Sequence, residues 1–234
     1  MTADLSETLG LGAPELVSFV GAGGKSTLLL RLGLELDQEH RVVLTTTTRM
    51  GTDQIPSSAV PVNGLDGVKQ ALLSGKMGFL IGEIDGPKII GPPVDLVDEL
   101  FANLGPDYLL VEADGARRRA IKAPAEHEPV IPSRTTTVVV VTGLDAVGGR
   151  LDEVAHRPEL VSAITGRGLD ETLTPGDVAT VIGHERGGLA YIPDGARVVV
   201  ALTQLRPETR AAAEAIREIL MNQLRIDRVC TFLG

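Results

Sequence analysis

The residues with the clearest chemistry lie at positions 21–27, which read Gly-Ala-Gly-Gly-Lys-Ser-Thr. Glycines let backbone N–H groups approach a polyphosphate, and a helix that begins beside them adds the positive partial charge of its N-terminus. Lys25 would reach the β- and γ-phosphates, and the hydroxyl of Ser26 would ligate Mg²⁺. We therefore predict a nucleotide-binding loop made of Gly21, Ala22, Gly23, Gly24, Lys25, Ser26 and Thr27, with Thr27 as the weaker hydroxyl ligand.

This loop departs from the common spacing G-x-x-x-x-G-K-[ST], which needs glycine where Phe19 stands. It fits the shorter G-x-x-G-K-[ST], which also occurs in Mur ligases and folylpolyglutamate synthetases. A dinucleotide fingerprint would need glycine in place of Ser26. A purely structural glycine turn would leave the Lys-Ser pair unexplained, so the strand–loop–helix context favours phosphate binding.

Two carboxylates follow the apolar run at residues 108–111. Glu112 and Asp114 lie on one side of an extended chain, because side chains alternate with period two. A strand that ends in carboxylates is what a phosphate-loop protein uses to hold Mg²⁺. We expect Ser26, Glu112 and Asp114 to form the metal site. The alternative is a solvated strand end capped by an Asp-Gly turn.

Two polar segments are candidates for contacts with a nucleotide or another anion. Residues 45–48 are threonines that end a predicted strand, followed by Arg49, and such strand ends line the ligand crevice of an open α/β sheet. We expect Thr47 and Arg49 to contact ligand, although β-branched residues also simply complete strands. The segment 117–129 begins with a cationic run that would clamp an anionic substrate, with Arg117 in contact. Residues 126–128 could include a metal ligand or a general base, with His127 as a catalytic base beside Lys25, Glu112 and Asp114. The segment 126–128 also fits a plain polar loop.

Composition excludes several classes of function. The chain of 234 residues has a formal net charge of −9, only 3% aromatic residues and no tryptophan. Nucleic-acid binding needs a basic face or stacking aromatics, so we expect none. The apolar runs are too short to span a bilayer. Residues 1–10 contain no basic residue, so a secretory signal is not supported. The one cysteine, Cys230, fits a reducing compartment. We expect a cytoplasmic protein with no membrane contact.

Apolar runs alternate with helical periodicity along the chain, which predicts an α/β, phosphate-loop NTPase-like fold with a mostly parallel sheet covered by helices. Strands are predicted at 15–20, 41–45, 108–111, 136–141 and 197–202, and helices at 25–38, 65–73, 94–103, 158–165, 175–183 and 207–224. A β-hairpin insertion is predicted with arms at 78–83 and 87–90 around Asp85-Gly86, and the closely spaced Pro56 and Pro61 predict a loop over 51–64. We expect one domain over 1–234, with 143–193 as a Gly-rich elaboration on one rim of the sheet.

The nucleotide base is suggested by an absence. In many GTPases the strand before the last helix ends in Asn-Lys-x-Asp, whose aspartate contacts guanine. The chain has Thr203-Gln204-Leu205-Arg206 at that place. The cofactors expected are therefore ATP, in preference to GTP, and Mg²⁺.

Several blocks of sequence carry a resemblance to a known family. They are residues 19–27, 44–49 and 111–117, together with 122–132, which reads Lys-Ala-Pro-Ala-Glu-His-Glu-Pro-Val-Ile-Pro, and the shorter 141–145 and 156–159. Taken together, they resemble the YqeC family, described as accessory proteins of selenium-dependent molybdenum hydroxylases. The resemblance implies nucleotide-dependent help in maturing the cofactor of a molybdenum hydroxylase, which would then be a partner.

Three functions fit these residues. The first is an ATPase or ATP-dependent transferase acting on an anionic small molecule. The second is a nucleotide-gated chaperone or switch whose segment 143–193 changes order with the nucleotide. The third, a Mur-ligase-like amide-forming enzyme, ranks last because the chain lacks the length for additional ligase domains.

Overall fold

A computed structural model describes residues 4–233 and defines thirteen strands and eight α-helices in that range. The strands are β1 (Glu15–Gly21), β2 (Val42–Thr46), β3 (Arg49–Gly51), β4 (Val60–Asn63), β5 (Gly78–Ile81), β6 (Glu83–Asp85), β7 (Lys88–Ile90), β8 (Tyr108–Glu112), β9 (Ile121–Lys122), β10 (Thr137–Gly143), β11 (Ala155–His156), β12 (Arg197–Leu205) and β13 (Arg228–Leu233). The helices are α1 (Leu5–Leu9), α2 (Lys25–Leu36), α3 (Gly64–Leu73), α4 (Val94–Leu104), α5 (Leu151–Val154), α6 (Pro158–Thr165), α7 (Pro175–Ile182) and α8 (Arg210–Leu220).

Eight of these strands form one sheet in the order β13-β12-β10-β1-β8-β2-β5-β4. Every pairing within that sheet is parallel. The predicted α/β fold with a mostly parallel sheet is therefore confirmed. Since all strands point the same way, their carboxyl ends lie along one edge, where open α/β sheets bind ligands.

The sheet is buried on both faces, which explains why its strands have nearly continuous apolar sequences. Phe19 of β1 faces α2 and packs in one apolar cluster with Leu29 and Leu32. Val20 faces the opposite side, in a cluster with side chains of α7 and α8 such as Ile216. Helices α3 and α4 cover the remaining part of that side through a third cluster that includes Leu100. β1 is thus held rigidly where it enters the loop at residues 21–27.

The hairpin prediction is confirmed at its turn and wrong at its first arm. β6 and β7 pair antiparallel, with Asp85 opposite Lys88 and Gly86 at φ 56°. The first arm was predicted over 78–83, whereas residues Gly78–Ile81 form β5 in the main sheet. Gly82 separates the two strands, and its N–H donates to the carbonyl of Ile90.

Two other elements differ from the sequence prediction. Residues 51–64 were predicted as loop because of their prolines, yet Val60–Asn63 form β4 at the sheet edge. An edge strand tolerates Pro61, because one side of it makes no ladder hydrogen bonds. The helix predicted over 207–224 begins as a 3₁₀ turn at Pro207–Thr209 and ends at Leu220, which is the last residue of the helix and is buried in the core.

The segment 143–193 is attached to the core and carries α5, α6 and α7. Val161 of α6 and Val178 of α7 are buried in the same cluster as Val138 of β10 and Val198 of β12. β11 pairs with β9 in a small separate parallel sheet, with His156 opposite Lys122. This pairing brings the segment next to the residues that follow β8. Between residues 4 and 233, no helix combines the length and apolarity needed to cross a membrane.

Candidate functional site

A cleft of about 1220 Å³ opens at the carboxyl ends of β1, β2, β8 and β12. All of the sequence-predicted site residues line it except Gly21 and Ala22, the first two residues of the loop. The lining members are Gly23, Gly24, Lys25, Ser26, Thr27, Thr47, Arg49, Glu112, Asp114, Arg117 and His127. The structure therefore brings the predicted side chains to one place, while their individual roles stay predictions.

The glycines of the loop are required by its backbone geometry. Gly21, Gly23 and Gly24 have φ values of 96°, 82° and 113°, in a region that L side chains rarely adopt. A Cβ on Gly23 would overlap the backbone of Gly143 and lie 2.9 Å from the carbonyl oxygen of Ala120. The loop thus turns sharply while packed directly against the end of β10.

Backbone hydrogen bonds show which N–H groups of the loop are already paired within the protein. The N–H groups of Ala22 and Gly23 donate to the carbonyls of Val141 and Arg119, both at 2.9 Å. The first α-helical bond joins the N–H of Leu28 to the carbonyl of Gly24 at 3.0 Å. The N–H groups of residues 25–27 precede that bond, so they are the helix donors left for an anion.

Lys25 is buried at the base of the cleft. Its Nζ donates to the carbonyl of Gly21 at 2.7 Å and lies 3.0 Å from Oδ1 of Asp114. The ammonium group is therefore held beside the loop, within the first turn of α2. A phosphate bound at the helix N-terminus would meet this cation directly.

Ser26 and Glu112, two of the three predicted metal ligands, are in direct contact. The Ser26 hydroxyl donates to Oε2 of Glu112 at 2.6 Å. Burial raises the pKa of Glu112, and the charge of Lys25 and the Ser26 hydrogen bond oppose that rise. A cation beside this carboxylate would favour its ionised form.

The protein offers few other ligands for a cation at this point. Among residues 4–233, no three His, Cys, Asp or Glu side chains converge on one metal position. This donor set fits Mg²⁺, which keeps several waters and binds through one or two protein oxygens together with substrate phosphates. Thr27 is exposed at the cleft surface.

Asp114 has different surroundings from Glu112. Its carboxylate lies 3.0 Å from Nζ of Lys25 and 3.0 Å from Nζ of Lys122, and it accepts from the N–H of Gly21 at 3.0 Å. All three groups are positively polarised, and both lysines are buried. Its predicted role as a metal ligand stays a prediction, and these contacts favour a role in positioning the two lysines.

A chain of charges extends from Asp114 across the cleft. Lys122 donates to Oε2 of Glu128 at 2.5 Å and to the carbonyl of Gly115 at 2.7 Å. Glu128 also pairs with Arg157. Burial alone would raise the pKa of Glu128, but the hydrogen bonds and charges of Lys122 and Arg157 lower it overall.

The two histidines of the cleft differ in exposure. The side chain of His127 is 81% exposed, and its Nε2 lies 3.9 Å from Oε1 of Glu128. His156 is half-buried on β11, and burial together with the charges of Arg157 and Lys122 lowers its pKa to about 4. His156 therefore remains a neutral imidazole near neutral pH, whereas the predicted base His127 lies at the cleft mouth.

The threonine segment has mainly structural contacts. Thr47 donates to the carbonyl of Val130 at 2.7 Å, and Thr46 to that of Glu112 at 2.9 Å. Arg49 is exposed, and its Nη1 lies 3.7 Å from Oδ2 of Asp85 in the hairpin.

Arg117 has φ 47° and lies in the loop after β8. Positive φ in a non-glycine residue is uncommon and clusters at functional sites.

Sequence reasoning assigned no role to several residues that the fold brings into or beneath this cleft. Lys122 and Arg157 lie outside the recognised loop, and Gln204 was considered only as part of a missing guanine motif. A lysine between Ile121 and Ala123 gives one available signal, because a cation in an apolar run needs a buried partner. No local signal marks Arg157, since its partner Glu128 is 29 residues away.

The fold and the loop define an α/β protein with a glycine-rich G-x-x-G-K-[ST] loop between β1 and α2. The family model described as YqeC protein matches residues 17–159. The chain is also 32% identical to protein YqeC of Escherichia coli (strain K12), over 97% of this chain and 90% of that protein. The chain therefore belongs to the YqeC family, as its sequence blocks predicted.

Among solved structures, the chain is similar to a plasmid partition protein from Borrelia burgdorferi. The identity is 11%, the TM-score is 0.40, and the match covers 93% of this chain and 90% of that one. A TM-score of this size does not establish a shared fold. The α/β fold of this chain is established by its strand order and its parallel strand pairing.

Proposed function

We propose that this protein binds a nucleoside triphosphate with Mg²⁺ and transfers its terminal phosphoryl group to water or to an anionic acceptor. The observation that carries the proposal is the Ser26–Glu112 hydrogen bond of 2.6 Å at the N-terminus of α2. A hydroxyl and a buried carboxylate meet there beside a buried lysine and unpaired helix N–H groups. This combination suits a polyphosphate accompanied by a divalent cation.

Each group has a distinct task in the proposed reaction. The N–H groups of residues 25–27 and the ammonium of Lys25 bind the β- and γ-phosphates. Ser26 and Glu112 would hold Mg²⁺, which would neutralise charge on those phosphates. Asp114 orients Lys25 through their 3.0 Å contact. Most of the rate of phosphoryl transfer comes from such positioning, so hydrolysis without an acceptor is expected to be slow.

The acceptor occupies the half of the cleft beyond the loop. Arg117 and Arg157 line that half, and their charge suits an anion. As the acceptor oxygen bonds to the γ-phosphorus, the bond to the nucleoside diphosphate breaks and the acceptor proton passes to a base. ATP is the proposed nucleotide, in preference to GTP. The family resemblance suggests maturation of a selenium-dependent molybdenum hydroxylase cofactor in the cytoplasm as the setting.

Phosphate release from ATP and Mg²⁺ tests this proposal. Glu112→Gln removes the charge that would hold the cation and is expected to lower the slow wild-type rate at least about tenfold. Asp53→Asn is the matched control, because Asp53 is an exposed acid of the same cleft. Equal rates in the wild type and Glu112→Gln would refute the proposed use of Mg²⁺ and nucleotide.

A nucleotide-gated switch is the second candidate. Asp145, Glu153 and Arg157 belong to the segment 143–193 and line the same cleft as the loop, so a bound nucleotide would contact this segment. The test is a binding assay with a molybdenum hydroxylase, carried out with ATP, ADP or no nucleotide. A partner affinity that is the same in all three states would exclude the switch.

A further inference from the structure

Gln204 has a positive backbone φ and a side-chain amide oxygen without a hydrogen-bond partner among the described residues. It has φ 60° at an irregularity near the end of β12, where the pairing with β13 shifts between Leu202 and Leu205. Its Oε1 is buried and has no hydrogen-bond partner among the residues that the structure describes. Both features cost free energy, and such features persist where the surroundings or a ligand repay them.

The surroundings place this amide beside the phosphate loop. The hydroxyl of Thr203, the preceding residue, donates to the carbonyl of Gly23. Oε1 of Gln204 lies against Gly143, so a Cβ added to that glycine would collide with Oε1. The same Cβ would lie 3.2 Å from the Cα of Gly23 in the loop. Gln204 also lines the cleft. A nucleotide with its phosphates on the loop would therefore have its remaining parts within reach of this amide.

The charged groups next to Gln204 are already paired with each other. Arg206 forms an ion pair with Asp145, and Asp145 lines the cleft. The cleft carboxylate of Asp145 is thus neutralised by Arg206 and is a poor acceptor for the N1–H and N2–H₂ groups of guanine. A neutral amide is left to contact a base.

We infer that Gln204 is the residue that selects adenine, through its amide paired with the N6 and N7 atoms of the base. This inference rests on the proposed nucleotide binding. Glutamine can accept from the N6 amino group of adenine and donate to N7 at the same time. A change of the Gln204 side-chain rotamer that moves the whole amide into the cleft presents both Oε1 and Nε2 to the base and gives Oε1 the donor that it lacks. A base with oxygen at position 6 has no such donor on this edge and leaves Oε1 unpaired.

The test is equilibrium binding of ATP, inosine triphosphate and 7-deaza-ATP, each with Mg²⁺. The wild type is expected to bind ATP about tenfold or more tightly than either analogue. Gln204→Ala should reduce ATP affinity to the level of the analogues and leave their affinities unchanged. Gln204→Glu keeps the size of the side chain but loses the NH₂ donor, so it should also lose the preference for ATP.

Gln54→Ala is the matched control. Gln54 lines the same cleft, but its Oε1 already accepts from the N–H of Gly51 at 3.1 Å, so its loss should not change the preference for ATP. The assignment of Gln204 would be overturned if the wild type bound all three nucleotides equally, or if Gln204→Ala lost the same affinity for each of them. Either result would leave the proposed nucleotide binding intact. An absence of binding in the wild type would overturn the proposed function as well.

Discussion

At the scale of single residues, the site is organised around one shared carboxylate. Asp114 lies 3.0 Å from both Lys25 and Lys122, so the lysine of the glycine-rich loop is linked to the charges on the far side of the cleft. A phosphate that draws Lys25 toward itself weakens its hold on Asp114, and Lys122 remains to compensate the carboxylate. Under the proposed function, the residues that bind phosphate also hold the base of the cleft together.

The two hydroxyls of the loop are expected to behave differently. Ser26 contacts Glu112, whereas Thr27 is exposed, so only Ser26→Ala should weaken the effect of Mg²⁺ on nucleotide affinity. We expect a loss of about tenfold in the presence of Mg²⁺ and a small loss in EDTA. Thr27→Ala is the control for the same measurement. A larger effect from Thr27→Ala would reverse the assignment of the metal ligand.

Lys122 should matter for stability as well as for the site. Its side chain is 1% exposed and contacts Asp114 and Glu128, so Lys122→Met removes one of the two cations paired with each of these carboxylates. Removal of one partner of a buried ion pair costs about 3–5 kcal/mol of unfolding free energy. Urea denaturation should show this loss, with partial recovery in Lys122→Met/Glu128→Gln. Lys88→Met, at an exposed lysine of the cleft, is the control, and an equal effect there would contradict the role of Lys122.

Residue-level chemistry was predictable where it depends on local sequence. The loop at 21–27 and the carboxylates Glu112 and Asp114 follow strands that the apolar pattern marks clearly, and the structure places them together. Arg157 and Gln204 could not be found in this way. Their roles depend on pairs such as Arg157–Glu128 that no local spacing reveals.

At the scale of elements, the junction of β1 and α2 depends on glycine. Gly23→Ala should cost more than the about 1–2 kcal/mol of a non-glycine residue at positive φ, because its Cβ also overlaps the backbone of Gly143. Gly75→Ala is the matched control, with φ 64° and open space around its Cβ. Thermal denaturation should separate the two variants. Equal destabilisation would mean that the loop can move away from β10.

Elements were predictable in proportion to their length and burial. The long central strands and α2 have clear apolar patterns, and helix α6 was predicted with its observed bounds, Pro158–Thr165. The short strand β4, with an exposed pattern and Pro61, has no such signal. β9 and β11 have two residues each, and their pairing across the chain depends on tertiary packing.

At the scale of the whole molecule, stability should depend on pH through His156. Its pKa is about 4 in the folded protein and 6.5 as an ordinary histidine, so the unfolded chain binds a proton more readily. The resulting stabilisation is present above pH 6.5 and is lost as the pH falls toward 4. His156 faces Arg157, Lys122, Glu128 and Arg117, and Glu128, whose pKa is lowered, adds a further loss at still lower pH.

Melting temperatures measured between pH 7 and pH 4 test this dependence. His156→Gln should show a smaller decrease over that range than the wild type, because glutamine does not titrate. His127→Gln is the control at an 81% exposed position and should follow the wild type. Identical curves for the wild type and His156→Gln would contradict the assigned surroundings of His156.

The cleft as a whole results from strand order, which sequence alone did not provide. β8 lies between β1 and β2, so Glu112 is placed beside Ser26 although 86 residues separate them in sequence. β12 lies beyond β10 and brings Thr203 to Gly23 from 180 residues away. The α/β class was predictable from the alternation of strand and helix patterns. The order of the strands was not, because it depends on tertiary contacts between distant segments that local sequence patterns do not reveal.

The most direct test of the central claim is calorimetric titration of ATP with Mg²⁺ into the wild type and Lys25→Ala. Lys25 is buried against Gly21 and Asp114 at the N-terminus of α2, so its ammonium should meet the β- and γ-phosphates. We predict wild-type binding that is weakened at least about tenfold in the folded variant. Equal affinities for the two proteins, or no heat of binding with the wild type, would contradict the claim that this loop binds nucleotide.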